Sequence, residues 1–266
     1  MAGNDDLIVI KLGGSVITYK NQPLAPNLEA IENIAKTIKD MIENHRVLIV
    51  HGGGSFGHYW SVKYDMHTKP MPYPSEGISI VHESMIKLNH IVVEKFLSNG
   101  LKPFSIPPSN YVFNNLPCKD RISDLISMTR NNDLIPVTYG DVIHTSSGNF
   151  SILSGDTIMN LLSTSLKPQL SVFTTSVDGI YDRLGDDGNL IPSILVGNGD
   201  VLSHDPTIDN ERMSFDVTGG MKRKMAESIK IVKEGIPVYL INGFQPERLL
   251  DIINNRNFVG TCIRKG

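Results

Sequence analysis

Short apolar runs alternate with amphipathic segments along most of the chain. Each run is bounded by glycine, proline or polar residues, which is typical of a buried strand in a parallel sheet. On this basis we predict strands over residues 7–11, 46–50, 104–106, 135–139, 170–175, 238–241 and 260–263.

Between these runs, apolar residues recur at steps of three and four, as on one face of a helix. The clearest stripe comprises Ile31, Ile34, Ala35, Ile38, Met41 and Ile42. Further helices are predicted over residues 79–99 and 121–130, from about 156, through 225–232 and from about 246, and a β-hairpin over 142–153. Because strands alternate with helices, we expect an α/β fold, a three-layer αβα sandwich with a mainly parallel central sheet.

Three segments do not fit this alternation. Residues 61–77 contain Pro70, Pro72 and Pro74, so we expect a loop or a mobile flap there. Residues 185–188 are predicted to form a turn and 197–215 a surface excursion. With no internal repeat or long linker, residues 1–266 are interpreted as one domain with two lobes.

Composition narrows the classes of function. The formal net charge of −3 argues against a general nucleic-acid-binding protein, which is usually basic. Cys118 and Cys262 are far apart, so neither a disulfide scaffold nor a zinc site is expected. No apolar run approaches the length of a membrane span, and the polar residues after Met1 do not resemble a signal peptide. We therefore expect a cytoplasmic protein that binds neither nucleic acid nor membrane.

Glycine-rich segments follow several predicted strands, at the sheet edge where α/β proteins bind ligands. They lie at residues 13–15, 52–57, 154–156 and 178–179, and a fifth, at 219–220, opens a predicted helix. Glycine permits close approach of the backbone, whose N–H groups can hold phosphate at a helix N-terminus. Several such segments at one edge predict a ligand with more than one phosphate cluster.

Three lysines lie beside these segments: Lys11, Lys20 and Lys224. Phosphoryl transfer requires neutralisation of the charge on the moving group, for which lysines are suited. Lys224 could equally be a solvated surface residue. Lys11 ends an apolar strand, so its charge is expected to have a partner.

The spacing of Gly52, Gly54 and Gly57 also fits the dinucleotide-binding fingerprint. That motif requires an acidic residue about 20 positions later, after the next strand. The nearest candidate, Glu76, lies in the proline-rich segment, so a nicotinamide-dependent oxidoreductase is disfavoured. The P-loop and protein-kinase motifs are absent as well.

The ordered motifs of the chain resemble a known family. They are IKLGGSVITYK (10–20), VHGGGSFGH (50–58), PVTYGDV (136–142), ILSGD (152–156), VDGIY (177–181) and DVTGGMKRK (216–224). Together they resemble the amino acid kinase superfamily and, through the ending S-F-G-H, its isopentenyl phosphate kinase branch of archaeal type. This resemblance implies an amino acid kinase-like fold with an acceptor-binding lobe over about 1–168 and a nucleotide-binding lobe over 169–266.

The resemblance also implies residue roles. Lys11, Gly13, Gly14 and Ser15 would hold the ATP phosphates, with Lys20 near them. Gly53 and Gly54 would bind the acceptor and transferring phosphates, His58 would hydrogen-bond the acceptor phosphate, and Gly155 would lie beside the acceptor. Asp156 would orient the catalytic lysines. Gly220 and Lys224 would contact the nucleotide, as would the segment containing Ser176 and Asp178.

Two positions depart from the family pattern. Ser176 stands where relatives often have aspartate in T-D-V-D-G, and Thr157 stands where they often have a second aspartate in S-G-D-D. These changes bear on contacts to adenine or ribose and leave the phosphate-handling residues intact.

Some roles have structural alternatives. His58 could be a structural loop histidine, and Asp156 could be a helix N-cap. Asp141 could cap a turn or support the lysines. Met85 could line an apolar tail pocket or belong to the ordinary core.

The implied reaction is ATP-dependent phosphorylation of isopentenyl phosphate to isopentenyl diphosphate, with Mg²⁺ held mainly by the nucleotide phosphates and no protein metal ligands. A homodimer is expected from the family. The alternatives are a related kinase acting on a phosphonate such as fosfomycin or on a carboxylate, and a non-catalytic nucleotide sensor, which would not need the lysines and Asp156.

Overall fold

The computed structural model describes residues 4–66, 72–114, 116–131, 133–145, 148–183, 188–197, 201–203 and 219–266. Its strands are β1 (Asn4–Leu12), β2 (Arg46–His51), β3 (Pro103–Ser105), β4 (Val112–Phe113), β5 (Leu116–Pro117), β6 (Ile135–Tyr139), β7 (Asp141–His144), β8 (Phe150–Leu153), β9 (Pro168–Thr175), β10 (Ile180–Tyr181), β11 (Leu190–Ile191), β12 (Ser193–Val196), β13 (Val201–Ser203), β14 (Val238–Asn242) and β15 (Thr261–Lys265).

The helices are α1 (Gly14–Ile17), α2 (Leu28–Met41), α3 (Gly54–Lys63), α4 (Ser75–Ser98), α5 (Lys119–Asn131), α6 (Gly155–Leu166), α7 (Gly219–Lys233) and α8 (Arg248–Ile253), with a short 3₁₀ helix at Pro108–Asn110. Within the described ranges, no helix has the length and apolar character needed to cross a bilayer.

One sheet organises the described part of the chain. Its strand order is β13-β12-β15-β14-β9-β1-β2-β6-β3. The pairs from β14 through to β3 are all parallel, whereas β14–β15 and β12–β13 are antiparallel. The prediction of a mainly parallel sheet is thus confirmed. Because β1 pairs with both β2 and β9, the sheet is continuous across the two predicted lobes.

The central strands are apolar on both faces because each face is covered by helices. In β1, Ile8 and Ile10 belong to one buried cluster, which includes residues of α2 and α4. Leu7 and Val9 belong to the opposite cluster, which includes residues of α5, α6 and α7. This alternation produces the predicted three layers.

Three predicted boundaries were wrong or incomplete. The glycine segment of residues 52–57 was expected to be a loop, but α3 begins at Gly54. The segment expected to be a loop over residues 61–77 contains the end of α3, and α4 begins at Ser75.

The predicted β-hairpin is confirmed as the antiparallel pair β7–β8. Within the predicted surface excursion, residues 201–203 form an edge strand. Residues 185–187 of the predicted turn and most of the 197–215 excursion lie outside the described residues.

Candidate active site

A cavity of about 1450 Å³ lies at the carboxyl ends of the central parallel strands. Predicted site residues from separate parts of the chain line it together: Lys11, Gly14, Ser15, Lys20, Gly53, Gly54, His58, Gly155, Asp156, Ser176, Asp178, Gly220 and Lys224. This is the sheet edge at which open α/β folds bind ligands.

Gly13 does not line the cavity. Its N–H donates to Thr174 Oγ1 at 3.0 Å, and a Cβ at this position would lie 2.3 Å from the Thr174 carbonyl oxygen. The Gly13 N–H is thus already bonded within the protein, and the role of Gly13 in holding the ATP phosphates stays a prediction. Gly13 allows the end of β1 to pack closely against β9.

The first and second glycine segments contact each other. A Cβ on Gly14 would lie 2.3 Å from the Gly54 nitrogen, so no larger residue fits. Gly54 has φ +48°, and its own Cβ would lie 2.1 Å from Thr18 Oγ1. That hydroxyl accepts from the Ser55 N–H and donates to the Gly14 carbonyl, which joins α1 to α3.

The same junction presents backbone donors to the cavity. The first N–H groups of a helix have no partner within the helix. Among the described residues, no acceptor lies against the N–H groups of Gly14, Ser15, Gly53 or Gly54. The N-termini of α1 and α3 thus form one surface of unpaired donors that is suited to binding an anion.

A buried ion-pair triad faces this surface. Lys11 Nζ lies 2.7 Å from Asp156 Oδ1, and Lys224 Nζ lies 3.7 Å from the same oxygen. The side chains of Lys11 and Asp156 are only 4% and 9% exposed. The expectation that the buried charge of Lys11 has a partner is confirmed, and the partner is the aspartate that follows β8.

Burial and the neighbouring charges set the pKa values of the triad. Burial alone would raise the pKa of Asp156, but Lys11 and Lys224 outweigh it and hold the pKa below its usual value. Burial, together with the charge of Lys11, lowers the pKa of Lys224 to about 8, although Asp156 opposes the shift. One carboxylate therefore holds two ammonium groups close together in a poorly solvated place.

The N-cap of α6 is Ser154, whose hydroxyl accepts from the Thr157 N–H at 3.1 Å. Asp156 lies within the first turn, so the alternative that it is the N-cap is wrong. Gly155 allows the close packing: a Cβ there would lie 2.9 Å from Lys11 Cε and 3.1 Å from the His51 carbonyl oxygen.

His58 and Lys20 are exposed and line the cavity, His58 from α3 and Lys20 from the turn after α1. The cavity wall also contains Val81 and Met85 of α4 and Ile152 of β8. Met85 is buried, and its sulfur would lie 3.1 Å from a Cβ on Gly53. Met85 therefore packs under the glycine segment as well as lining the cavity.

Asp141 contacts neither lysine of the triad. One of its oxygens accepts from the Val142 N–H at 2.7 Å, and the other lies 2.7 Å from His82 Nδ1. Burial raises the pKa of Asp141 to about 6, against the opposing effect of His82. Of the two alternatives for Asp141, the structural one matches these contacts.

Asp178 pairs with a residue that the sequence analysis did not single out. Its Oδ1 accepts from Arg248 Nη1 at 2.6 Å and from Asn242 Nδ2 at 3.2 Å. These donors outweigh the effect of burial and lower the pKa of Asp178. Ser176, two residues earlier, is exposed to the cavity.

The arrangement suits the binding and transfer of phosphate. It combines backbone N–H groups, three lysines and an exposed histidine, and its buried Asp156 carboxylate is paired with two of the lysines. In the described part of the chain, no cluster of three histidine, cysteine, aspartate or glutamate side chains could hold a metal ion.

Comparisons with known proteins agree with the geometry. A profile of the amino acid kinase family matches residues 6–242. The isopentenyl phosphate kinase of Thermoplasma acidophilum is 36% identical over 97% of this chain and 100% of the relative. That of Methanothermobacter thermautotrophicus is 31% identical over 97% and 98%, respectively.

A crystal structure of the T. acidophilum isopentenyl phosphate kinase product complex superimposes with a TM-score of 0.79 at 33% identity, covering 97% of this chain and 100% of that one. The contact between Gly14 and Gly54, the buried triad and these matches all agree. The chain belongs to the amino acid kinase family and, within it, to the isopentenyl phosphate kinases.

Proposed function

We propose that this protein transfers the γ-phosphoryl group of ATP to isopentenyl phosphate, which yields isopentenyl diphosphate and ADP. The observation that carries the proposal is the pairing of Lys11 and Lys224 with one buried carboxylate. Opposite them lie N–H groups of two helix N-termini that have no acceptor among the described residues. Such a site can hold two anions together while charge moves between them.

The acceptor chemistry fits the side chains present. A phosphomonoester is largely dianionic near neutral pH, because its second pKa is about 6. One of its oxygens can form the new bond to the γ-phosphorus while the bond from that phosphorus to the β-bridging oxygen breaks. No proton has to be removed first, so no general base is required.

Each group then has a role in binding or charge stabilisation. Lys11, assisted by Lys20 and Lys224, neutralises charge on the transferring group, and Asp156 keeps Lys11 and Lys224 in place. The backbone N–H groups of Gly53 and Gly54 donate to the acceptor and transferring phosphates. The His58 side chain donates to the acceptor phosphate. Mg²⁺, which would enter with the nucleotide, would reduce the charge repulsion between donor and acceptor.

We assign the acceptor to residues 1–168 and the nucleotide to residues 169–266. His58, Met85 and Ile152 lie in the first part, and Ser176, Gly220 and Lys224 in the second. Lys11 and Asp156 lie where the two halves meet, which is where transfer would take place. We extend the proposal to a cytoplasmic homodimer on the basis of the family, and light scattering coupled to gel filtration would test the oligomeric state.

One assay tests the reaction. The purified protein is incubated with Mg-ATP and, separately, isopentenyl phosphate, dimethylallyl phosphate, fosfomycin, UMP or acetylglutamate, and ADP release is followed. We expect turnover with the prenyl phosphates. Turnover with fosfomycin or acetylglutamate alone would instead support the phosphonate or carboxylate alternative, and no turnover with either prenyl phosphate would refute the proposal.

Replacement of His58 tests the choice of acceptor. We expect His58→Ala to reduce kcat/KM for isopentenyl phosphate by at least about tenfold, or about 1.4 kcal/mol of transition-state binding. The KM for ATP should change little. His90→Ala is a suitable control, because His90 is an exposed histidine of α4 that does not line the cavity. A His58→Ala enzyme as active as this control would contradict the assigned role.

A further inference from the structure

A buried imidazole lies directly behind the glycine segment and has no role in the chemistry described above. His51 ends β2, and its side chain is 0% exposed. Its ring stacks on Tyr139, with ring centroids 5.3 Å apart and planes inclined by 18°. Its carbonyl oxygen accepts from the Gly140 N–H at 3.0 Å. The ring is therefore held rigidly between β2, β6 and α4.

Both ring nitrogens face polar atoms. Nδ1 lies 3.2 Å from the Gly52 carbonyl oxygen, and Nε2 lies 3.3 Å from the amide oxygen of Asn89. The Asn89 amide nitrogen in turn lies 2.6 Å from Ser105 Oγ. Burial lowers the pKa of His51 to about 4, so the ring is neutral near pH 7 and carries one N–H.

The backbone carbonyl decides which nitrogen carries that proton. The Gly52 oxygen can only accept, so Nδ1 must be the donor if this contact is a hydrogen bond. Asn89 can satisfy Nε2 with its amide turned over, because its nitrogen and oxygen can exchange places. It then donates to Nε2 and accepts from the Ser105 hydroxyl. Only the tautomer with the proton on Nδ1 gives the Gly52 carbonyl, the Asn89 amide and the Ser105 hydroxyl a hydrogen bond each.

The Gly52 carbonyl and the Gly53 N–H belong to the same peptide unit. In a planar trans peptide, these two groups point in opposite directions. A hydrogen bond that draws the Gly52 oxygen towards the buried ring therefore turns the Gly53 N–H away from it. Gly53 lines the cavity, and no acceptor among the described residues takes this N–H.

From this geometry we infer that His51 is a positioning residue, whose Nδ1–H holds the Gly52–Gly53 peptide so that the Gly53 N–H faces the phosphates. The inference rests on the proposed function, in which that N–H binds phosphate. A neutral donor suits the place, because Gly52 lies next to Lys11: a Cβ on Gly52 would be 3.7 Å from Lys11 Nζ. A charged imidazole here would be a third cation and would add to the repulsion between Lys11 and Lys224.

Three variants separate this role from simple packing. His51→Asn retains a donor close to the position of Nδ1, His51→Gln moves the amide towards Nε2 and Asn89, and His51→Phe keeps the stacked ring without polar atoms. We expect the Phe and Gln variants to lose about 10- to 100-fold in kcat/KM for isopentenyl phosphate. The Asn variant should stay within about threefold of the wild type.

Nucleotide binding distinguishes positioning from damage to the fold. The Kd of ADP, measured by titration calorimetry without acceptor, should be unchanged in all three variants because other segments hold the nucleotide. Wild-type kinetics in His51→Phe would overturn the inference. Equal losses in the Asn and Phe variants would overturn it too, as would losses that follow Tm and weaken ADP binding in parallel.

The tautomer can be measured directly. In ¹⁵N-labelled wild-type protein, with His51 assigned by its absence in His51→Asn, we expect Nδ1 to show a protonated-nitrogen shift and Nε2 an unprotonated one. The opposite tautomer would refute the inference. This measurement does not depend on turnover, whereas wild-type protein inactive with every prenyl phosphate would refute the proposed function instead.

Discussion

At the scale of single residues, the site depends on one carboxylate that serves two cations. Within the described part of the chain, Asp156 pairs with both Lys11 and Lys224, and all three side chains are largely buried. Removing one member of a buried charge group leaves the others uncompensated, which is costly. We therefore expect the negative charge of Asp156 to matter more for activity than the contribution of this residue to the first turn of α6.

Asp156→Asn keeps the size of the side chain and removes its charge. We expect kcat to fall by about 100-fold or more, because the two lysines lose the group that holds them at the transferring phosphate. Ser154→Ala is the matched control: it removes the N-cap of the same helix and should cost about 1 kcal/mol of stability while kcat stays near the wild-type value. Steady-state kinetics and thermal unfolding of both variants would show whether the effects separate in this way. Loss of kcat in Ser154→Ala without loss in Asp156→Asn would contradict the assignment.

The lowered pKa of Lys224 predicts a pH dependence. In the proposed function the charged form of this lysine binds phosphate. That form is present below a pKa of about 8 and is lost as pH rises through that value. We expect kcat/KM for ATP, which reports the free enzyme, to fall above pH 8. Lys224→Arg stays charged at every accessible pH, so its profile should lack this falling limb even if its activity is lower. An identical limb in both enzymes would assign the titration to another group.

At the scale of elements, the start of α3 is the least forgiving point of the site. Gly54 has φ +48°, in the left-handed region, and a Cβ there would overlap Thr18 Oγ1 at 2.1 Å. Alanine at this position would have to separate α3 from α1, and the surface of unpaired donors depends on their contact. The requirement for glycine here is thus both conformational and steric.

Gly54→Ala should lower Tm and abolish turnover together. Gly235→Ala is a matched control, because Gly235 also has positive φ, at +84°, but a Cβ there meets nothing within 4 Å. The free energy of unfolding of the control should fall by only about 1–2 kcal/mol, which is the cost of placing a residue with a Cβ in the left-handed conformation. Thermal unfolding and ADP-release assays would compare the two variants. If both variants lost a similar small amount of stability and kept their activity, the close contact between α1 and α3 would not be required for turnover.

The sequence predicted those elements whose burial follows a simple period. The apolar runs of β1, β2, β6 and β9 were recognisable because each is covered on both faces, and α2 because it buries one stripe. α3 was missed because it begins with Gly54 and Gly57 within a segment that resembles a phosphate loop. The start of α4 was placed too late because three prolines precede it.

At the scale of the whole molecule, the site is a product of topology. β1 lies between β2 and β9, so glycine segments far apart in sequence meet at one sheet edge. The sequence identified these segments and the three lysines beside them. It could not show that Gly13 packs against Thr174, or that Asp178 pairs with Arg248 seventy residues later. Such pairings depend on strand order, which leaves no local pattern in the sequence.

The distribution of charge has a further consequence. The chain has a formal net charge of −3, yet the described residues that line the cavity include six lysines and arginines against three aspartates. They are Lys11, Lys20, Lys63, Arg183, Arg223 and Lys224, and Asp141, Asp156 and Asp178. Excluding histidine, the lining therefore carries +3 in a protein that is negative overall. Such a cavity attracts anionic substrates before they make contact.

This attraction predicts a specific dependence on salt. Raising NaCl from about 0.05 M to about 0.5 M shortens the screening length several-fold, so kcat/KM for both anionic substrates should fall. The buried triad is screened far less, so kcat should change much less. Sodium chloride titrations at constant free Mg²⁺, with equimolar sucrose as the control for viscosity, would separate the two constants. If kcat fell in parallel with kcat/KM, salt would be disturbing the triad itself rather than the approach of the substrates.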